Sequence, residues 1–318
     1  MEKFLENRKK FVDEVIESLE KEKGLVWLKK WGTLGPPFNP TTNKEYNGNN
    51  NLMLSFRGMQ KGYEDTRWLT YKQAQNNKWQ VKKGEKATSI EFFELYDKKT
   101  KKQFDPKSIS SLSNKEQIDY KNQNVYSCAK TYSVFNGEQI DNIPAFEKPK
   151  IEVNYNKIDK IIENSNVPFF YDSENAFYSS NKDEIHMPHQ KFFKSENAFY
   201  GTALHELSHS TGHELRMNRN IHNKFGSESY AKEELRAEFS SFFIAQSKGI
   251  TYTNEDKENT KAYLQSWIKA LKNDPNEFFK AGKEANKIAN KVLSYENEKQ
   301  PSMKDLIKTK EQIEEKGR

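Results

Sequence analysis

Apolar residues recur at helical spacing near the start of the chain, where Phe4, Leu5, Phe11, Val12, Val15, Ile16 and Leu19 mark one stripe. They predict an amphipathic helix over 4–19 packed on a first domain. The run GTLGPPFNPTTNKEYNGNNN at 32–51 is dense in turn formers and predicts a long irregular loop. A short helix is expected over 68–77. The pattern then changes to β-branched and aromatic runs, TSIEFFELY at 88–96 and VYSCAKTYSVFN at 125–136, which predict strands. Between them, residues 97–124 are polar with almost no apolar period, and a mobile insertion is expected.

A Pro- and charge-rich stretch near 140–152, IDNIPAFEKPKIE, predicts a domain boundary. Beyond it the pattern gives a helix at 156–164, short strands at 168–178 and 183–187, and helices at 196–211, 229–247, 259–272 and 275–293. The fold class is therefore α+β with two domains, residues 1–145 and 151–293, the second mainly helical with a small sheet. Residues 294–318 form a charged tail. No internal repeat is evident.

Composition sharpens this picture. With 31% charged residues the chain is polar, yet 21 Phe, 15 Tyr and 5 Trp supply the bulk a folded core needs. The one cysteine, Cys128, excludes an intramolecular disulfide framework and suits a reducing compartment; its pattern predicts a small buried strand residue. No stretch is apolar enough for a signal peptide or a membrane span, so a cytoplasmic protein without a membrane partner is expected. Residues 1–140 hold 25 Lys and Arg against 18 Asp and Glu, whereas the remainder holds 27 against 28. The basic excess lies in the N-terminal half, as expected if that half meets a polyanion.

The candidate chemistry centres on HELSH at 205–209. Positions i and i+4 share a helix face, so His205 and His209 can converge on one cation, with Glu206 placed to take a proton from water. Zinc fits this role because it brings the pKa of water toward about 7. Gly212 is expected to end the helix in a left-handed conformation. A catalytic zinc needs a third protein ligand. Leu215 stands where the metzincin pattern has histidine, and His213 is out of register. The next helical segment carries Glu234 and Glu238 on one face; Glu234 is assigned as the ligand and Glu238 as the residue orienting a ligand histidine. His186 and His189 lie outside this set.

In the N-terminal half, residues 21–90 carry 13 Lys and Arg against 5 Asp and Glu, together with Trp27, Trp31, Trp68 and Trp79. Basic residues interleaved with rings suit single-stranded nucleic acid, whose phosphates pair with lysine and whose bases stack. The same pattern also fits buried tryptophans beneath a solvated lysine face.

ALHELSHSTGH, LRMNR, FGSESYAKEELRAEF, SWIKALKND and the upstream DEIHMP resemble the zincin-type metallopeptidase domain of ArdC-type antirestriction proteins. FNPTTNKEYNGNNNLML, TRWLTYKQA, WQVKKGEKATSIEFF and YSVFNGEQI resemble that family's N-terminal single-stranded-DNA-binding domain. Asn47 and the pair Lys78-Trp79 depart from the family pattern, which has a basic residue and a glycine-rich pair there. The resemblance implies a single-stranded-DNA partner and protection of incoming plasmid or phage DNA from restriction. It also implies a substrate-lining edge strand along 183–187. Lys44, Arg67, Trp68, Lys72, Lys82, Lys83 and Lys86 are the candidate DNA contacts. Two other functions fit the same residues: a metallopeptidase whose basic half recruits a protein substrate, and a DNA-binding protein whose metal is structural. Neither a peptide substrate nor the choice of zinc over another divalent ion is readable from the residues.

Overall fold

A computed structural model describes residues 2–22, 34–149, 152–221, 226–250 and 260–316. Trp27 and Trp31 lie outside the described residues. Helix α1 (Glu2–Glu22) is followed by the short antiparallel pair β1 (Phe38–Asn39) and β2 (Lys44–Glu45), then by helix α2 (Gly48–Lys61). The expected irregular loop thus contains a hairpin and the first turn of a helix. Three consecutive asparagines read as turn formers, but two are used as tethers and the third packs against a glycine. The Asn50 side chain accepts from the Glu91 N–H at 2.8 Å and donates to the Glu91 carbonyl at 2.7 Å, occupying a sheet edge. Asn51 donates to Gln246 Oε1 at 2.9 Å. Asn49 packs so close to Gly282 that a Cβ there would lie 2.3 Å from its Oδ1. The helix ends at Gly62 with φ 71°.

Strand β3 (Trp68–Thr70) and helix α3 (Tyr71–Asn76) replace the single helix expected over 68–77. Thr70 divides them, because its side chain accepts from Gln73 N–H and starts the helix with a capping box. Strand β4 (Gln80–Val81) pairs with β7 (Ile140–Asp141), after the two long strands β5 (Thr88–Asp97) and β6 (Val125–Asn136). The main sheet has the order β3-β6-β5, all antiparallel.

The insertion between β5 and β6, expected to lack regular structure, is folded. It holds a 3-10 turn over Pro106–Ile109 and helix α4 (Asn114–Asn124), whose Ser113 and Glu116 form a capping box. Phe104, Ile109, Leu112 and Tyr120 are too sparse to make a period, yet they converge on Leu95 and Val125 as a small core. Cys128, expected to be buried, is exposed on β6.

The second half contains α5 (Tyr155–Asn164), β8 (Phe169–Phe170), β9 (Phe177–Ser179), β10 (Glu184–His186), α6 (Glu196–Ser210), α7 (Glu228–Lys248), α8 (Thr260–Asn273), α9 (Asn276–Ser294) and α10 (Met303–Lys316). Its sheet has the order β8-β10-β9, with β10 paired parallel to β8 and antiparallel to β9. The strand expected to be a free edge along 183–187 is therefore the central one. Both of its ladders are occupied, and a substrate strand cannot add there. Among the described residues no helix is long and apolar enough to cross a membrane.

The largest core crosses the midpoint of the chain. Phe11, Val12, Val15, Ile16 and Leu19 of α1 and Leu52, Met53 and Phe56 of α2 share one apolar cluster with helices α5 to α9. The Phe11 ring meets Phe278 at 5.4 Å and Phe279 at 6.2 Å. Helix α1 packs on the first domain as expected, with Phe11 against Phe56 at 5.4 Å and Arg8 paired with Glu91 at 2.6 Å, and it packs on the second half as well.

Candidate functional site

Helices α6 and α7 build a cluster of side chains that could hold a metal ion. Ser195 caps α6 through Ala198 N–H, Ser227 caps α7 through Tyr230 N–H, and Ser208 and Ser240 bond to each other at 2.9 Å where the helices meet. These small residues let the backbones approach, so side chains one turn along face each other across the gap. His205, His209 and Glu234 come together there, all buried, with their ligand atoms within 4.8 Å of one another. The two Nε2 atoms are 3.2 Å apart, His209 Nε2 lies 3.4 Å from Glu234 Oε1, and His205 Nε2 lies 3.8 Å from Glu234 Oε2. Donors about 2.0–2.1 Å from one tetrahedral ion would be separated by about 3.3–3.4 Å, so the set is spaced to receive a cation. Glu206, one residue past His205, is also buried.

The residues behind the imidazoles differ in part from expectation. Glu238 Oε1 lies 3.9 Å from His205 Nδ1, facing it but beyond hydrogen-bond length. The close partner of a ligand histidine is Glu233, whose Oε1 is 3.3 Å from His209 Nδ1. Glu233 in turn accepts from Arg219 Nη2 at 2.7 Å and Nε at 3.3 Å. Arg219 also donates to Thr211 Oγ1 at 2.7 Å and to the Ser208 carbonyl at 3.0 Å, tying the end of α6 to α7. Neither residue was singled out from sequence. The available signals were the arginine of LRMNR and a third carboxylate adjacent to Glu234.

The electrostatics favour a positive charge here. Burial alone pushes the His209 imidazolium down, but the carboxylates of Glu234, Glu233 and Glu206 outweigh it and hold its pKa up at about 10. Burial likewise pushes Glu233 up, and the His209 and Arg219 hydrogen bonds and charge outweigh it to hold the carboxyl below its usual range. A pocket that holds a proton this firmly on imidazole presents the same negative field to a divalent ion.

The chain leaves α6 through Gly212, which is not in the expected left-handed conformation. Its requirement is space: a Cβ there would lie 2.4 Å from Ile221 Cγ2 and 3.1 Å from the His209 carbonyl. Arg216 then ties this loop to the small sheet, with Nη1 donating to Asp183 Oδ2 at 3.0 Å and Nε donating to the Ser210 carbonyl at 2.8 Å. His186 stands apart from the cluster. Its ring is sandwiched between Phe170 and Phe177 at 5.3 and 5.0 Å, and its nitrogens meet Asp172 and Glu184. The His189 ring tilts against Tyr171.

The predicted DNA contacts divide. Lys44, Lys72, Lys82, Lys83 and Lys86 are exposed. Trp68 is fully buried with Tyr46, Leu54, Ile90 and Val134, and Arg67 is buried against Asp65, Nη2 to Oδ2 at 2.7 Å. Neither side chain can meet a nucleic acid, because composition marks a ring or a cation without saying which way it faces. Tyr71, the residue after β3, is 48% exposed. With Lys82, Lys83, Gln80 and Phe135 it lines an open groove of about 470 Å³.

Comparison with known proteins extends the picture. Residues 6–135 match the N-terminal domain of the anti-restriction factor ArdC, and residues 156–284 match the zincin-like metallopeptidase family MPTase-PolyVal. Two Escherichia coli proteins named DNA primase TraC are 36% and 37% identical over 306 and 302 residues, each covering 92% of this chain. The chain spans only 20% and 28% of their lengths. The protein y4eC of Sinorhizobium fredii is 25% identical over 287 residues, 90% of each chain. Crystal structures of ArdC from plasmid R388 superpose with TM-scores of 0.72 for the metal-free form and 0.69 for the Mn(II)-bound form. Their identities are 29% and 30%, and each comparison covers 92% of this chain and 99% of ArdC. With both domain families matched in order and ArdC covered over nearly its whole length, the chain belongs to the ArdC family of antirestriction proteins.

Proposed function

We propose that the protein binds single-stranded DNA through its N-terminal half and holds a catalytic zinc ion in its C-terminal half, and that it protects incoming plasmid or phage DNA from restriction. The observation that carries the metal reading is the buried convergence of His205, His209 and Glu234 beside Glu206. The two Nε2 atoms 3.2 Å apart, and His209 Nε2 3.4 Å from Glu234 Oε1, are compatible with ligands of one tetrahedral ion. Manganese is the second reading, favoured by the Mn(II)-bound ArdC structure.

A bound zinc ion supplies Lewis acidity that polarises a peptide carbonyl and eases deprotonation of water. The chain's own residues do the rest. Glu206 accepts the proton from water and can return it to the leaving amine. Glu233, buttressed by Arg219, keeps His209 Nδ1 occupied so that Nε2 faces the cluster. On the DNA side, Lys72, Lys82, Lys83 and Lys86 meet phosphates, with Lys44 on the β1–β2 hairpin as a further contact, and Tyr71 offers the ring that Trp68 does not. A protein substrate recruited by the basic half is a further outcome of the same arrangement.

The test is digestion of single- and double-stranded DNA by restriction enzymes in the presence of the full chain, its Glu206→Gln variant and a Lys82→Gln/Lys83→Gln variant. Metal content of His205→Ala is measured alongside. Wild type and Glu206→Gln should protect single strands while Lys82→Gln/Lys83→Gln protects less, and His205→Ala should lose its zinc. Full zinc in His205→Ala ends the metal reading. Absence of any single-strand binding by the wild type ends the DNA reading.

A further inference from the structure

The ribbon formed by β5 and β6 extends well past the sheet, since β3 pairs with β6 only at residues 134–136. Its register sets Phe92 opposite Lys130, Glu94 opposite Cys128, Tyr96 opposite Tyr126 and Ile90 opposite Tyr132. Directly opposed residues of an antiparallel pair share a face. One face therefore carries four rings: Phe92 and Tyr132 edge to face at 5.4 Å, and Tyr96 and Tyr126 stacked at 5.7 Å. The two pairs are four residues apart along β5, roughly 13–14 Å.

This face is uncovered. Phe92, Tyr126 and Tyr132 are 44%, 37% and 39% exposed. At its root, Ile90 and Val134 are buried under α2; on the opposite face, Leu95 and Val125 are backed by Phe104, Ile109, Leu112 and Tyr120. The folded insertion thus stiffens the ribbon from behind and leaves the rings in front. A merely solvated ribbon would carry threonine or lysine at these positions, as edge strands usually do.

The charges around the rings select the occupant. The Lys130 and Lys101 ammoniums lie 5.7 and 5.4 Å from the Tyr96 and Tyr126 ring centres. Lys99 and Lys102 are exposed in the turn beside them. The nearby carboxylates are already engaged. Glu94 accepts from Lys130 at 2.6 Å, from Tyr96 Oη at 2.6 Å and from Tyr132 Oη at 3.3 Å. Asp97 accepts from the Lys99 and Thr100 N–H groups at 2.9 and 2.6 Å. The exposed rings of Phe92 and Tyr132, beside a stacked tyrosine pair and a lysine-rich turn whose acidic neighbours are internally bonded, match unpaired bases on a phosphate backbone.

We propose that this face is a stacking platform for the bases of single-stranded DNA, with Lys99, Lys101 and Lys102 meeting its phosphates. The inference rests on the single-stranded-DNA reading above and assigns it a second site, on none of the residues singled out from sequence. Its test uses the full chain and fluorescein-labelled oligothymidylate, followed by anisotropy. Tyr126→Ala and Tyr132→Ala should each weaken binding roughly 5- to 150-fold, while Tyr126→Phe and Tyr132→Phe retain it. Lys101→Gln should flatten the log-log salt dependence by about 0.7. Strands carrying 5-iodouracil should crosslink to the wild type within 92–132, which tests the site without altering it.

If the wild type binds but the alanine variants match it and crosslinks fall elsewhere, the platform is overturned and the DNA reading stands. If the wild type binds no single strand, both fall. Should sedimentation show an oligomer that Tyr126→Ala converts to monomer, the face covers a second copy of the chain and the proposal is overturned.

Discussion

Replacing Glu233 by glutamine changes one atom and two partnerships. The carboxylate is 6% exposed, receives Arg219 through two nitrogens at 2.7 and 3.3 Å, and holds His209 Nδ1 at 3.3 Å. Oε1 alone serves both Arg219 Nη2 and His209 Nδ1, so a glutamine oxygen in its place keeps both contacts in weaker, uncharged form, while the amide NH2 replaces the Oε2 that accepts from Arg219 Nε and the guanidinium loses its counter-charge. Breaking a buried pair by removing one partner costs about 3–5 kcal/mol. Loss of the group behind a metal-ligating histidine weakens metal affinity about 10- to 100-fold. Urea unfolding without metal reads the first quantity, and competition with a zinc chelator reads the second. The double variant Glu233→Gln/Arg219→Met separates them. Removing the stranded charge should recover much of the stability, whereas zinc affinity should stay low because a neutral amide supports His209 less than the carboxylate does. Recovery of both would show that Glu233 acts only through Arg219, and wild-type zinc affinity in the single variant would refute its positioning role altogether.

Two further outcomes follow from backbone geometry. Gly212→Ala places a methyl 2.4 Å from Ile221 Cγ2 and should cost about 1–3 kcal/mol in urea unfolding, since a packed turn must open. It should also lower zinc affinity by moving the His209 carbonyl; a variant as stable as wild type would show that the turn gives way freely. Lys78 follows the end of α3 with φ 61°, a left-handed position that glycine fills without strain. Lys78→Gly should stabilise the protein by roughly 0.5–1 kcal/mol, the left-handed penalty less the added unfolded-state freedom. A loss of stability would mean that the lysine side chain makes up for its backbone.

The long helices were legible because each repeats its apolar residues over several turns, and the two long strands because β-branched and aromatic residues cluster in them. Helix α2 was not, since Asn49, Asn50 and Asn51 have turn-like local preferences and acquire partners only across the fold, at Gly282, Glu91 and Gln246. The central position of β10 was equally hidden: three short strands carry no mark of their order. In the site, the i, i+4 spacing of His205 and His209 is a local fact that survives any packing. Which of Glu233, Glu234 and Glu238 meets which imidazole depends on the rotation of α7 against α6, and no single-helix pattern contains that. Arg67 and Trp68 failed for the same reason in reverse. Charge and ring were read correctly, but their direction is set by Asp65 and by the cluster beneath β3.

The two halves match separate families, yet they do not behave as beads on a string. Helix α1 packs its apolar stripe against α8 and α9, and α2 sits close enough to α9 that Gly282 has no room for a side chain. Between them, Asn51, Ser55 and Gln246 form a buried polar chain, Asn51 donating to Gln246 and Ser55 donating to Asn51 at 3.1 Å. Buried polar groups of this kind are costly when parted, because each loses its partner without gaining water. Helix α2 also holds the edge of β5 through Asn50, at the root of the ribbon that carries the exposed rings, and α7 carries Glu233 and Glu234. Gln246 lies on that same α7. A continuous path of hydrogen bonds therefore runs from the ribbon through α2 to the helix that carries Glu233 and Glu234. Its existence makes the relative placement of the two surfaces a property of the core rather than of the linker at 140–152.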